Sequence, residues 1–368
     1  MGGGITGAFA AYFLARLGAR PTIVERGEIG GQASGRNAGN LTPLQGAGIP
    51  GPMLELALAS FRLHLEHADT VGRLSGAEVA PWPSTRLHLA LDDEDATRLE
   101  QVRELYDATP GFSARRLDRR EALVLEPRLA PDLLGGLLVE GNRRVDGGPY
   151  TRAVANAAVA LGAETVEAEA VGLTTLGHRV TGVLLDSGLL PCDGLVLAPG
   201  AWCAEAAGWL DEPIPVEPVK GELLLVEPPG GGLGADVGHG LAAAYATPGR
   251  AVWLGDTEDR VGLDVTTTDS ARRRILERVA TFFPAAARAP VLGQTAGLRP
   301  VTPDGFPIVG RAGSWENVCL AAGAGRKGVL LSAGLGLAAA ELLLAGETTL
   351  PIEACSPARF ATIPGRMR

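Results

Sequence analysis

An α/β fold with an inserted antiparallel sheet is predicted by three features of the sequence. The glycine turn Gly2-x-Gly4-x-x-Gly7 runs into a helix-periodic stretch and is answered, eighteen residues after Gly7, by Glu25 at the end of a short apolar run. Helical and strand-like segments alternate again over residues 149–200 and after residue 297. Between these, strand signals separated by Pro and Gly turns dominate residues 217–263.

The bulk properties allow this and exclude several alternatives. A chain of 368 residues has room for two packed cores. With 46% hydrophobic and 20% charged residues it has the composition of a globular protein without a long disordered arm. A net charge of −9 with no basic cluster argues against nucleic acid as a partner, since that affinity rests on Lys and Arg displacing counterions. Cys192, Cys203, Cys319 and Cys355 form no C-x-x-C pair, so neither a metal site nor a disulfide framework is signalled and a reducing, cytoplasmic location is expected. The apolar stretches 5–17 and 329–345 are glycine-interrupted and shorter than the ~18 residues of a membrane span. Buried helices are expected there. The first has no Lys or Arg before Arg16 and the second contains Glu341, so neither an export signal nor a membrane span is predicted.

Taken in order, Ala8, Phe9, Ala11, Tyr12 and Ala15 recur at helical spacing until Gly18 caps the segment. Thr22-Ile23-Val24 then reads as a buried strand ending at Glu25. Residues 26–50 are rich in Gly, Ala, Ser and Asn without periodicity, which suits an ordered loop shaped by a ligand. Residues 54–74 read as a helix, 86–91 as a strand and 92–108 as a charged, exposed helix. An amphipathic helix is expected over 149–161, strands near 168–173, 180–185 and 194–197, then runs at 222–226 and 251–254 within an antiparallel sheet. A helix over 270–283, a strand at 317–321 and the apolar helix from Val329 complete the chain. His64 and His67, flanked by Glu66 and Asp69, read as part of a wet helix face, with a metal pair as the alternative.

The glycine turn has a specific physical reading. In a dinucleotide fold the first glycine permits the tight turn, the second lets the backbone approach the pyrophosphate, and the third lets helix pack on strand; Gly2, Gly4 and Gly7 occupy those places. The helix beginning at Ile5 and Thr6 would aim its free N–H groups and positive dipole end at the phosphates, and Glu25, followed by Arg26, would accept from the ribose hydroxyls. FAD, NAD and a purely structural nucleotide all satisfy that motif. The loop Gly31 to Leu41 narrows the choice, because small residues and donors so close to the ribose acid suit a second wrap around a flavin dinucleotide. A dinucleotide fold also needs about five residues of strand before its glycine turn. Here Met1 stands directly before Gly2, so the first strand is expected to be truncated, through an internal methionine taken as the start.

Several stretches together resemble the D-amino-acid oxidase and glycine oxidase family of FAD-dependent amine oxidoreductases. They are GGGITG, IVERGEIGGQASGRNAG, VDGGPYTRAVANAA, LVLAPGAW at 195–202, PVKGELLLVEPP at 218–229, WLGDTEDRVGLD at 253–264, GLRPVTPDGFPIVG at 297–310 and GAGRKGVLLSAG at 323–334. The resemblance implies a Rossmann-type FAD-binding domain over 1–80, 141–215 and 291–368, and a substrate-binding domain over 81–140 and 216–290. It implies that Ala33, Ser34, Asn37, Ala38 and Gly39, with Asn40 and Leu41 closing the loop, line the flavin. Ala198, Gly200 and Trp202 would sit beside the dinucleotide and Val171 at the adenine edge. Taken alone, Trp202 reads as a core residue.

In the same family the arginine of a GLRP segment pairs with the substrate carboxylate, which here is Arg299; an arginine outside such a motif reads as a surface ion pair. The backbone of Arg326, Lys327, Gly328, Val329 and Leu330 would present N–H groups to the flavin pyrimidine, while the Lys327 side chain reads as a solvated charge. Tyr245 would line the amine pocket. The implied reaction is oxidation of the C–N bond of glycine, sarcosine or a D-amino acid by hydride transfer to flavin N5. Some relatives attach the flavin through a cysteine just before the T-P-D segment, where this chain has Gly297, Leu298 and Arg299, which implies non-covalent FAD. Relatives that react with oxygen as sarcosine oxidases do often carry a lysine in the strand occupied here by Trp253 and Leu254. A dehydrogenase subunit passing electrons to a quinone or protein partner, and a non-catalytic flavin-binding subunit, therefore stand as alternatives, with homo- and hetero-oligomers both open.

Overall fold

The computed structural model describes residues 1–360, so the last eight residues of the expected 291–368 segment lie outside the described residues. It divides into two compact units, each assembled from separate stretches. One comprises Met1–Pro81, Val145–Val219 and the chain from Leu298; the other comprises Trp82–Arg144 and Lys220–Gly297.

In the first unit the helix Ile5–Arg16 follows the glycine turn directly, and nine of its twelve residues are buried, which is why its apolar residues run around the helix rather than along a stripe. It packs on the helix Gly328–Leu344. A Cβ at Gly336 would lie 2.7 Å from both the Phe9 Cβ and the Ala10 nitrogen, so only glycine lets the two backbones come this close. On another side Gly334 meets Ser60 and Leu56 of the helix Leu54–Ser75. The segment Gly325–Leu344 is long and apolar enough to cross a membrane. Here most of its residues from Leu330 to Ala340 are buried, while Leu344 is exposed.

Thr22–Glu25 pairs in parallel with Glu164–Glu167, and a separate three-stranded sheet runs Leu195–Leu197, Val318–Ala322, Ile308–Arg311. Met1 and Gly2 join the two. The Gly2 N–H donates to the Val24 carbonyl at 2.8 Å, and the Ala198 N–H donates to the Met1 carbonyl at 2.9 Å. The glycine turn is thereby seated at the carboxyl ends of Thr22–Glu25 and Leu195–Leu197, where open α/β sheets bind ligands. A further antiparallel sheet is formed by Ala170–Leu176, Arg179–Leu185 and Gly188–Pro191.

The second unit is built on one large sheet whose strands run in the order Val291–Val301, Glu217–Val226, Val252–Gly255, Ala242–Ala246, Asp236–His239, Trp82–Ala90, Gly135–Arg144, with Ser113–Asp118 also on Gly135–Arg144. The expected sheet was antiparallel; the observed one is mixed. Asp236–His239 runs parallel to Trp82–Ala90, with Asp236 opposite Arg86, because the two strands come from different chain segments and no hairpin joins them. Leu87, Leu89, Val237, Ala244, Val252 and Leu254 point into a core shared with Ile275 and Val279 of the helix Asp269–Ala280. By alternation, Arg86, Gly238, Tyr245 and Trp253 stand on the opposite face.

Candidate functional site

The glycine turn divides into positions the protein itself requires and one it does not. Gly2 has φ of +98°, and a Cβ there would lie 2.2 Å from the Ala198 carbonyl oxygen; a Cβ on Gly7 would lie 1.9 Å from the Gly2 carbonyl oxygen. Gly4 is different. Its φ of −71° suits any residue, and its Cβ would meet only the Ser34 Oγ, at 3.3 Å. The space in front of Gly4 is a cradle that a methyl group would fill, which is the position expected to face a pyrophosphate. The Ile5 N–H donates to the Ser34 Oγ at 2.9 Å, so Ser34 joins the start of the helix on which Thr6 follows. Glu25 is held in the turn by the N–H groups of Gly3 at 2.7 Å and Gly27 at 3.1 Å. Each bond takes one lone pair, and a carboxylate has others for a ribose. The Arg26 guanidinium lies 4.5 Å from the Trp202 ring centroid, so a cation–π contact ties Trp202 to the residue following Glu25.

The loop from Gly31 to Leu41 is ordered by one side chain. The Asn37 Nδ2 donates to the carbonyls of Ala33 at 2.8 Å and Ser34 at 2.7 Å, while its Oδ1 accepts from the Gly39 N–H at 2.7 Å. Gly39 has φ of +74°, and a Cβ there would lie 1.7 Å from the Val145 carbonyl oxygen. Ala38 is half-buried between them, and Asn40–Leu41 forms a short strand with Leu41 fully buried. Lys327 departs from its reading as a solvated charge. Its Nζ donates to the Thr42 carbonyl at 3.0 Å and the Thr42 Oγ1 at 2.8 Å, which fastens the end of this loop to the start of the helix Gly328–Leu344.

Arg299 lies in the strand Val291–Val301, two residues before Val301, which makes an isolated bridge to Ala324. The turn Gly325–Lys327 and the helix starting at Gly328 follow at once. This bridge sets the strand carrying Arg299 beside the segment Arg326–Lys327 that leads into the helix, whose first-turn N–H groups at Gly328, Val329 and Leu330 are of the kind that lack partners within a helix. After the strand Leu195–Leu197, Ala198 is buried and Gly200 adopts φ of +58°. Val171 stands exposed on the strand Ala170–Leu176. Tyr245 belongs to the other unit, buried on the strand Ala242–Ala246.

The wet-face reading of His64 is overturned. His64 is fully buried, with its Nε2 at 3.0 Å from the carbonyl oxygens of both Val329 and Leu330, so Nε2 carries the proton and Nδ1 accepts from the Tyr150 hydroxyl at 2.9 Å. Its sequence neighbour Glu66 is exposed, as is Asp69, but its helical neighbours Ser60, Phe61 and Ala68 are buried. The signal lay at i±4, where helix faces are formed. Ser60 adds a second tie, donating to the Leu330 carbonyl at 2.7 Å.

Burial lowers the His64 pKa to about 4. An unfolded histidine takes its proton near 6.5, so stability is complete above that pH and is lost as pH falls from about 6.5 to 4, by up to about 3 kcal/mol. Urea unfolding of the wild type and of His64→Gln at pH 7 and pH 4.5 checks this: the variant should lose less stability between the two pH values, and equal losses would count against the assignment.

The comparisons with known proteins agree with this geometry. Residues 1–342 match the family model DAO, described as FAD dependent oxidoreductase. The glycine oxidase of Geobacillus kaustophilus is 29% identical over 360 residues, spanning 96% of this chain and 94% of that protein. A crystal structure of glycine oxidase from the same organism superposes with a TM-score of 0.89 at 28% identity, covering 96% of both chains. The crystal structure of iminodiacetate oxidase from a Chelativorans species has a TM-score of 0.83 at 27% identity and covers 97% of both. The cradle at Gly4, the Asn37-stapled loop and the helix start at Gly328 suit a flavin dinucleotide, and Gly297 and Leu298 offer no nucleophilic side chain for a covalent link before Arg299. The chain belongs to the DAO family of FAD-dependent oxidoreductases, with FAD held non-covalently.

Proposed function

We propose that the chain oxidises the Cα–N bond of an amino acid or small amine bearing a carboxylate, of the glycine, sarcosine or D-amino-acid type. The reading is supported by the Val301–Ala324 bridge, which sets the strand carrying Arg299 beside the segment leading into the helix Gly328–Leu344. The similarity to a glycine oxidase along nearly the whole chain supports the substrate class. In this reading the unit containing the glycine turn binds FAD and, through Arg299, the substrate carboxylate.

Bound FAD supplies a two-electron oxidant. Arg299 grips the substrate carboxylate with its planar fork and so fixes the orientation of the Cα–H and C–N bonds; positioning is the main catalytic contribution. The amine reacts in its neutral form, so its lone pair drives loss of the hydride and no protein base is needed. The resulting iminium gives a proton to water and adds water, which yields the oxo acid and ammonium or a free amine. The N–H groups at the start of Gly328–Leu344, with Arg326 beside them, stabilise negative charge there.

A second reading concerns the electron acceptor. The strand Val252–Gly255 carries Trp253 and Leu254 and no lysine, which favours transfer to a quinone or a protein partner over oxygen.

Anaerobic mixing with glycine, sarcosine, D-alanine and D-proline tests the main proposal: at least one should bleach the visible flavin absorbance, and no bleaching by any would refute it. Admitting air to the reduced enzyme tests the second reading, for which slow reoxidation with little hydrogen peroxide is expected. Rapid stoichiometric peroxide would refute it.

A further inference from the structure

The first turn of the helix Gly328–Leu344 is tied to the rest of its unit by side chains that act on its backbone. An α-helix joins the Leu330 carbonyl directly to the Gly334 N–H. Here the Ser60 hydroxyl bridges the two, accepting from the Gly334 N–H at 2.8 Å and donating to the Leu330 carbonyl at 2.7 Å. One turn further along the helix Leu54–Ser75, the His64 Nε2 donates to the carbonyls of Val329 and Leu330, both at 3.0 Å. The Val329 carbonyl also accepts from the Ser332 hydroxyl at 2.7 Å. Each of these adjacent carbonyls therefore receives side-chain donors in addition to any helical bond.

The donors are themselves fixed. Ser60, His64 and Ser332 are fully buried, the Tyr150 hydroxyl donates to the His64 Nδ1 at 2.9 Å, and the Phe9 ring meets the imidazole edge-on with centroids 5.1 Å apart. Gly334 lets the helices come this close, since a Cβ there would lie 3.1 Å from the Ser60 Cβ. All of these residues belong to the unit that carries the glycine turn. Apolar side chains at positions 60 and 64 would serve burial as well, because a buried hydroxyl or imidazole must be hydrogen-bonded to avoid a penalty. What the polar side chains add is control of the helix start. The Val329 carbonyl shares a planar peptide unit with the Leu330 N–H, so donors on the carbonyl polarise that N–H and fix its direction.

We propose that Ser60 and His64, with Tyr150 orienting the imidazole, are positioning residues for the cofactor: by aligning and polarising the first-turn peptides of Gly328–Leu344 they strengthen its N–H groups toward bound FAD and raise the flavin's reduction potential. This rests on the placement of the flavin at this helix start in the reading given above. The effect falls on the ease of reducing FAD and not on the choice of amine.

The variants that test this are Ser60→Ala, His64→Leu and His64→Gln, the last keeping a side-chain N–H. Two measurements are made on each with oxidised FAD bound, and melting temperatures establish that each is folded. Amide hydrogen exchange over residues 331–336 reads the clamp, and the midpoint potential against a dye of known potential reads its effect on the flavin. Exchange should quicken by about threefold or more in Ser60→Ala and His64→Leu. In the same two variants the affinity for reduced relative to oxidised FAD should fall about 3- to 10-fold, which lowers the midpoint potential by about 15–30 mV. His64→Gln should recover most of both changes. If His64→Leu does not fold, Ser60→Ala carries both measurements. Unchanged exchange overturns the clamp, whatever the potential does, and leaves the placement of the flavin standing. Faster exchange with an unchanged potential overturns the action on the flavin and, with it, that placement. A potential that tracks the melting temperatures, with His64→Gln no nearer the wild type than His64→Leu, shows general loosening and also overturns the proposal.

Discussion

Arg299→Ala should lower kcat/KM for a carboxylate-bearing amine by roughly a hundred- to a thousand-fold, because removing one partner of a desolvated, hydrogen-bonded charge pair costs about 3–4 kcal/mol. Most of the loss should appear in KM if the carboxylate is held equally in the ground and transition states, and in kcat if Arg299 chiefly aligns the Cα–H bond. Arg299→Lys should recover part of the activity, since a point charge replaces a bidentate fork. The controls are FAD content and turnover of a simple alkylamine without a carboxylate, and neither should fall with the charge. If the alkylamine and the amino acid lose activity equally, Arg299 is not the carboxylate grip. Its position two residues from the Val301–Ala324 bridge would then have a structural explanation alone.

The glycine turn separates cofactor binding from folding. Gly4→Ala should leave the melting temperature of the apoprotein nearly unchanged, because the added methyl meets only the Ser34 Oγ at 3.3 Å, yet should weaken FAD binding by about 100-fold by occupying the cradle. Gly7→Ala should do the opposite. Its methyl would stand 1.9 Å from the Gly2 carbonyl oxygen, an overlap that the backbone can relieve only by moving the turn off its strands, so low yield of folded protein is the expected result. Thermal melts of the apoproteins together with FAD titration by fluorescence quenching decide the matter. A Gly4→Ala protein that binds FAD as tightly as the wild type would show that no ligand approaches the turn there.

These expectations divide along a physical line. Local features were legible in the sequence because they depend on neighbours within one turn or one strand. The helix after Gly4, the strand ending at Glu25 and the apolar helix ending at Leu344 each announce themselves by periodicity and by their terminal residues. The loop at 31–41 could be recognised as ligand-shaped, but not the means by which Asn37 staples it, since three bonds from one amide depend on a particular backbone path. His64 was misread because Glu66 and Asp69 are adjacent in sequence yet lie on another side of the helix. The partners that define His64, Tyr150 and the carbonyls of Val329 and Leu330, are distant in sequence and adjacent in space.

The sequence by itself determined the class of fold and the glycine turn with its acid, because each is a pattern whose chemistry needs those residue types at that spacing, whereas Arg299 as a carboxylate grip is implied only by the family resemblance of its GLRP segment. Only the tertiary structure decided which glycines of the turn serve the protein and which serves a ligand, since that depends on what lies across from each Cα rather than on the residue itself. It also decided the mixed direction of the large sheet and the ties from Ser60 and His64 to the start of Gly328–Leu344. Ser60 and Leu330 stand 270 positions apart and meet only because their helices pack together, and no periodicity in the chain encodes their bond.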